Sequence, residues 1–116
     1  MISKEQVEEF LRTFKQKKKI FGILYRDDRG KNTQTLADLE IRPMDRDSII
    51  ENLNSEDYCQ GPTDDILHGG ASMWVFGKEV KKNEVYIKIT IGYPSSGVIC
   101  ISFHISGYPL TYPFKK

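Results

Sequence analysis

The strongest constraint on the fold is an alternation of apolar and polar residues through positions 72–105. Three segments carry it, Ser72 to Lys78, Glu84 to Ile91 and Val98 to Ile105. In the second, Val85, Ile87, Ile89 and Ile91 alternate with Tyr86, Lys88 and Thr90. In the third, Ile99, Ile101, Phe103 and Ile105 alternate with Val98, Cys100, Ser102 and His104. Successive side chains of a strand point to opposite faces, so the pattern predicts half-buried antiparallel strands. The loop Gly-Tyr-Pro-Ser-Ser-Gly over 92–97 reads as a hairpin connection. Opposed residues share a face, which sets the expected register: Ile91 against Ile99, Thr90 against Cys100, Lys88 against Ser102 and Tyr86 against His104. A phenol, an ammonium, a hydroxyl and an imidazole then sit on one sheet face, and that cluster is the candidate site.

The rest of the chain supplies the cover for the other face. Ser3 followed by Gln6 is a capping-box signature, and Val7, Phe10, Leu11 and Phe14 follow at helical spacing. Glutamates near the start of this helix and Lys15, Lys17, Lys18 and Lys19 near its end suit the macrodipole, so the lysine run reads as a solvated helix end. Ile20 to Arg26 reads as a short extended segment, and Asp27-Asp28-Arg29-Gly30-Lys31 as a solvated turn. Asn32 or Thr33 can cap a short helix carrying Leu36, Ala37 and Leu39. After Arg42-Pro43, Asp45 or Asp47 can cap another that turns Ile49, Ile50 and Leu53 inward and ends over Ser55 to Tyr58. Cys59 to Gly70 is turn-rich and reads as a long loop, with His68 an exposed loop histidine. If Lys81 to Glu84 closes a hairpin, Phe76 opposes Ile89 and Trp74 opposes Ile91, so Trp74 reads as core. Lys78, Lys81, Lys82 and Lys88 form a local basic patch beside it. The tail from Gly107 to Phe114 is too proline-rich for a helix, and its aromatics are expected to strap across the domain.

These elements predict a single α+β domain over residues 1–116, with N-terminal helices on an antiparallel sheet and a C-terminal three-strand meander. A chain of 116 residues, 39% hydrophobic and 28% charged, fits one domain with a modest core. The net charge of +1 gives no global attraction to polyanions, so any phosphate site must be a local patch. No apolar run approaches the ~20 residues of a membrane span, and the start of the chain does not read as a signal peptide. Cys59 and Cys100 lie in no metal-ligand or disulfide pattern and are expected as free thiols in the cytoplasm.

The phrases Ser-Glu-Asp-Tyr at 55–58, Met-Trp-Val-Phe-Gly at 73–77, Val-Tyr-Ile-Lys-Ile-Thr at 85–90 and Ile-Ser-Phe-His at 101–104 resemble the bacterial MqsR family of toxins. Each phrase alone is weak; their order and spacing carry the resemblance. It implies a RelE-like fold and a toxin-antitoxin endoribonuclease acting on mRNA, possible ribosome association, a cognate antitoxin as partner, and neither metal nor cofactor. The family's sheet tyrosine falls on Tyr86, its sheet lysine on Lys88, and its C-terminal basic residue on His104. Two positions depart from the family. Gln60 stands where a catalytic lysine is found, and Val75 where a glutamine follows the tryptophan.

Such enzymes use the RNA's own 2′-hydroxyl as nucleophile, which also explains a choice of RNA over DNA. The reaction needs a base, cations against the growing phosphorane charge, and an acid for the leaving oxygen. The resemblance and the cluster together cast His104, with an ordinary pKa near ~6.5, as acid or base. Lys88 and Lys78 then hold phosphate charge, and Tyr86 orients it or shares proton transfer. Lys82, Gln60 and Arg26 are weaker candidates for substrate contact. A non-catalytic module binding RNA, the ribosome or a protein is the alternative, and a structural or regulatory domain the third reading. A cysteine hydrolase fits less well, because neither thiol has an evident base.

Overall fold

Ser3 starts the first helix as its sequence predicts. Its hydroxyl accepts the Gln6 N–H at 3.2 Å, and the Gln6 amide oxygen accepts the Ser3 N–H at 2.8 Å. Two backbone donors of the first turn are thereby satisfied. The computed structural model describes residues 2–27, 30–64 and 70–115, so Asp28, Arg29, Asp65 and His68 of the turn and loop readings lie outside the described residues. Helix α1 spans Lys4–Phe21 and buries Val7, Leu11 and Phe14. It carries on through Ile20 and Phe21, where an extended segment was expected, and stops at Gly22 with φ 85°. Only Ile23–Tyr25 becomes strand β1.

Helices α2 (Lys31–Leu39) and α3 (Pro43–Glu51) follow, then a 3-10 turn over Ser55–Asp57. Neither expected cap of α2 is used. The helix starts after Gly30, and Asn32 turns into the protein instead, 2% exposed. In α3, Pro43 takes the first turn, where its missing N–H costs nothing. Asp45 accepts the Arg42 backbone N–H at 2.7 Å, whereas the Asp47 carboxylate receives the Tyr25 hydroxyl. The expected loop from Cys59 instead begins within β2 (Tyr58–Thr63), followed by β3 (Met73–Val80), β4 (Asn83–Thr90) and β5 (Val98–Ile105).

The five strands form one sheet in the order β1-β5-β4-β3-β2. Neighbours from β2 to β5 are antiparallel, but β1 runs parallel to β5, so the sheet is mixed and not purely antiparallel. The physical reason is connectivity. A hairpin forces antiparallel pairing, whereas β1 reaches the other strands through helices and is free to run either way. The α1 stripe, with Leu39, Ile50 and Leu53, packs on Phe76, Val85, Ile87, Ile89 and Phe103. Trp74 stacks on Phe10 at 4.5 Å, which bears out its reading as core. Among the described residues no helix is long and apolar enough to cross a membrane.

Two register details differ from expectation. The β3–β4 turn consists of Lys81 and Lys82 alone, both at positive φ, so Phe76 meets Ile87 and Trp74 meets Ile89. A shift of two residues keeps every side chain on its expected face. Between β4 and β5, Tyr86 pairs with His104 and Lys88 with Ser102 as expected, but Ile89 pairs with Cys100 and Thr90 with Ile99. Ile101 is the extra residue of a bulge, and Val98 and Cys100 therefore turn to the helix-covered side.

Candidate functional site

The bulge in β5 is where the site begins, because α2 is fastened to it. Strand β1 covers β5 only from Val98 to Cys100, and among the described residues the rest of that edge has no strand partner. Asn32 fills the gap: its amide donates to the Ile101 carbonyl at 3.2 Å and the Arg26 carbonyl at 2.8 Å, and its oxygen accepts the Phe103 N–H at 3.1 Å. Thr35 accepts the Ile105 N–H at 3.4 Å. Buried backbone groups need such partners, and side chains of α2 provide them. The same attachment carries Lys31, the residue before Asn32, to the rim of the sheet's other face.

There a groove of about 390 Å³ opens, lined by Lys31, Tyr86, Lys88, Ser102, His104 and Tyr108 among others, and among the described residues no carboxylate lines it. The Tyr86 and His104 rings stack, with centroids 5.1 Å apart and planes 12° from parallel. The Lys88 ammonium lies 5.8 Å from the Tyr86 ring centre. His104 Nδ1 is 3.0 Å from the Ile105 carbonyl oxygen. A carbonyl only accepts, so in this contact Nδ1 carries the hydrogen. Burial pushes the Tyr86 hydroxyl pKa above its ordinary value, with the nearby Tyr108 and Cys59 adding to the shift. The phenol therefore keeps its proton near neutral pH and acts as a donor.

His104, Tyr86 and Lys88 are thus brought together, and the other sequence candidates are not. Lys78 pairs across the sheet with Val85, which puts it on the helix-covered side, and its ammonium bonds Asp57 at 3.1 Å. Lys82 sits at the tip of the β3–β4 turn, away from the groove. Gln60 shares a cross-strand row with Val75, Lys88 and Ser102, but two strand spacings separate it from Lys88, roughly 10 Å. Arg26 lies just beyond β1, its backbone N–H bonded to the Cys100 carbonyl at 3.0 Å, and it is not among the groove's lining residues. Val75 is only 2% exposed. Lys31 and Tyr108 were missed, since each reaches the groove only through tertiary packing.

The other charged clusters have structural partners. Arg46, 4% exposed, makes a two-pronged bond to Asp27 at 2.8 and 3.1 Å and lies 3.8 Å over the Tyr25 ring. Asp27 is therefore an ion-pair partner and not the solvated turn residue expected. Burial, then its bond to Asp47, drives the Tyr25 pKa far upward, which keeps that hydroxyl a donor. The tail does strap the domain. Leu110 N–H and the Tyr112 hydroxyl both bond Glu84, at 3.0 and 2.7 Å, and Phe114 packs 5.5 Å from Tyr58. It crosses at Gly77, where an added Cβ would lie 2.3 Å from the Tyr112 oxygen. Tyr108, by contrast, is 61% exposed. Burial raises both thiols to a pKa of about 12, which suppresses the thiolate a cysteine nucleophile needs. Among the described residues no group of His, Cys, Asp or Glu could hold a metal ion.

The chain matches no protein-family profile, and no curated protein or solved structure matches it either.

Proposed function

We propose that the protein is a metal-independent endoribonuclease of the toxin-antitoxin type, with a RelE-like arrangement, acting on mRNA in the cytoplasm. The observation that carries this reading is the groove itself: among the described residues an imidazole, a protonated phenol and two lysines whose ammonium groups have no ion pair meet where no carboxylate lines the surface. His104 Nε2 takes the proton of an RNA 2′-hydroxyl, whose oxygen bonds to the adjacent phosphorus. The P–O5′ bond breaks, and the Tyr86 phenol, which holds its proton, donates to the departing 5′-oxygen. Lys88 faces the charge that grows on the phosphoryl oxygens. The catalyst is restored when Tyr86 regains a proton and His104 loses one through solvent. An antitoxin protein covering this face would silence it.

A non-catalytic module that binds RNA, the ribosome or a protein on the same fold is the second reading. What favours it is that Gln60 carries no charge and Val75 is buried, so neither offers the group expected there from the resemblance.

Expression of the chain alone in bacteria, beside His104→Ala and Tyr86→Phe, with RNA 5′-end mapping, separates the two. The nuclease reading expects growth arrest and new mRNA ends, with cleavage by purified His104→Ala reduced about 10²- to 10⁴-fold. Replacement of the 2′-hydroxyl by hydrogen at the cleaved position should abolish the reaction. Intact mRNA and normal growth with folded wild-type protein would sink it in favour of the binding module.

A further inference from the structure

We infer that Lys31 and Lys88 form a two-cation clamp for one stretch of single-stranded RNA backbone, with Lys31 supplying a cation from outside the sheet. This deepens the reading of the groove as an RNA site and rests on it.

The argument begins with which lysines are already engaged. Lys15 donates to the Leu53 carbonyl at 2.7 Å, Lys17 to the Ile91 and Tyr93 carbonyls, and Lys18 to Glu51 at 3.2 Å. Lys78 is held by Asp57, and Lys81 by the Glu40 carbonyl at 3.1 Å. Among the described residues, neither the Lys31 nor the Lys88 ammonium has a hydrogen bond or ion pair. Both nevertheless line the one groove that also holds Tyr86 and His104. An unpaired ammonium is available to an anion, and a pair of them flanking a groove that no described carboxylate lines defines an anion site.

The groove's shape and chemistry specify which anion. Exposed Tyr108 and the stacked Tyr86–His104 pair offer ring faces beside the lysines, as bases of an unpaired strand require. The reach of Lys31 is set from behind by Asn32, whose bonds to Ile101 and Phe103 hold the start of α2 on β5 at the bulge, with a third to the Arg26 carbonyl. The bulge at Ile101 sits next to Ser102 and three residues before His104, so one irregularity aligns the base and the second cation. Lys31 binds backbone and Asn32 positions it.

The test is the salt dependence of binding of a short fluorescent single-stranded oligonucleotide with 2′-deoxyribose throughout, which cannot be cleaved by 2′-hydroxyl attack. Each phosphate contact in a single strand adds about 0.7 to the slope of log affinity against log salt. The clamp therefore expects a slope lowered by about 0.7 in Lys31→Ala and again by about 0.7 in Lys88→Ala, restored in Lys31→Arg and unchanged in Lys82→Ala. An unaltered slope in Lys31→Ala, an equal loss in Lys82→Ala, or no binding at low salt by folded protein would each overturn it. Full slope changes with RNA left uncut would keep the clamp and remove the nuclease reading. Cleavage of RNA with an unchanged slope in Lys31→Ala would do the reverse.

Discussion

Two lysine-bearing regions of this molecule look alike in sequence and differ in structure. The end of α1 carries Lys15, Lys17, Lys18 and Lys19 within five residues, the densest positive stretch of the chain. The groove draws Lys31 and Lys88 from positions 57 apart. In the first region, three of the four ammonium groups are bound to protein acceptors: Lys15 and Lys17 to carbonyls, Lys18 to Glu51. In the second, both are uncommitted among the described residues. Local charge density thus marks a helix terminus tied down to its surroundings. On the proposed reading, anion binding falls to charges that the fold gathers and that have no partner among the described residues.

The largest expected effect comes from cutting the tie that places Lys31. Asn32→Ala leaves the Ile101 carbonyl and the Phe103 N–H of the bulge unsatisfied, and should lower the unfolding free energy by about 3 kcal/mol in urea titrations. If the comparison holds, this variant also weakens oligonucleotide binding while the α1 lysines keep their contacts. A loss of stability below about 0.5 kcal/mol would show that water replaces Asn32 and that α2 is not anchored through it.

Lys17→Met tests the other region. It removes the ammonium from the Ile91 and Tyr93 carbonyls, and should cost about 1 to 2 kcal/mol of stability with no change in RNA affinity. A variant that keeps its stability but loses RNA affinity would break the comparison, since it would make α1 part of the binding surface.

The smallest effect concerns the pH range in which these measurements can be compared. The Cys100 thiol has a folded pKa of about 12 against an ordinary value of 9.0, so the native state keeps its proton after the unfolded chain has lost it. The corresponding stability is complete below about pH 9 and falls as pH rises from there toward 12, by at most about 1.4 kcal/mol per pH unit. Denaturant midpoints of wild type and Cys100→Ala between pH 8 and about 10 check this: the wild-type decline should be the steeper. Equal slopes would mean that the buried thiol titrates as freely as in the unfolded chain.

How much of this was legible in advance varies by residue. The Ser3–Gln6 cap and the stripe of Val7, Leu11 and Phe14 were readable because both partners of each contact lie within one or two helical turns. The pairs Tyr86–His104 and Lys88–Ser102 were readable because alternation and a hairpin leave few registers. The bulge at Ile101 was not. Val98 and Cys100 are as buried as Ile99 and Ile101, so this half of β5 is covered on both faces, and alternation there carries no information about which face is which. Lys78 was misplaced for a different reason. It belongs to the apolar row with Trp74 and Phe76, and reading it as part of a patch counted charges along the chain and ignored strand parity. The strand β2 was hidden by Gly61 and Pro62, turn formers that sit here at an irregular sheet edge.

By itself the sequence determined what short-range physics controls: a capped amphipathic first helix, half-buried strands over residues 73–105, and a phenol, an imidazole and an ammonium on one sheet face. Tertiary structure alone decided the parallel edge strand, the bulge, and the arrival of Lys31 and Tyr108 at the groove. Periodicity reports the face a residue presents within its own element. Which elements meet, and which charges remain unpaired when they do, depends on contacts between residues far apart in the chain, and those carry no local period to read.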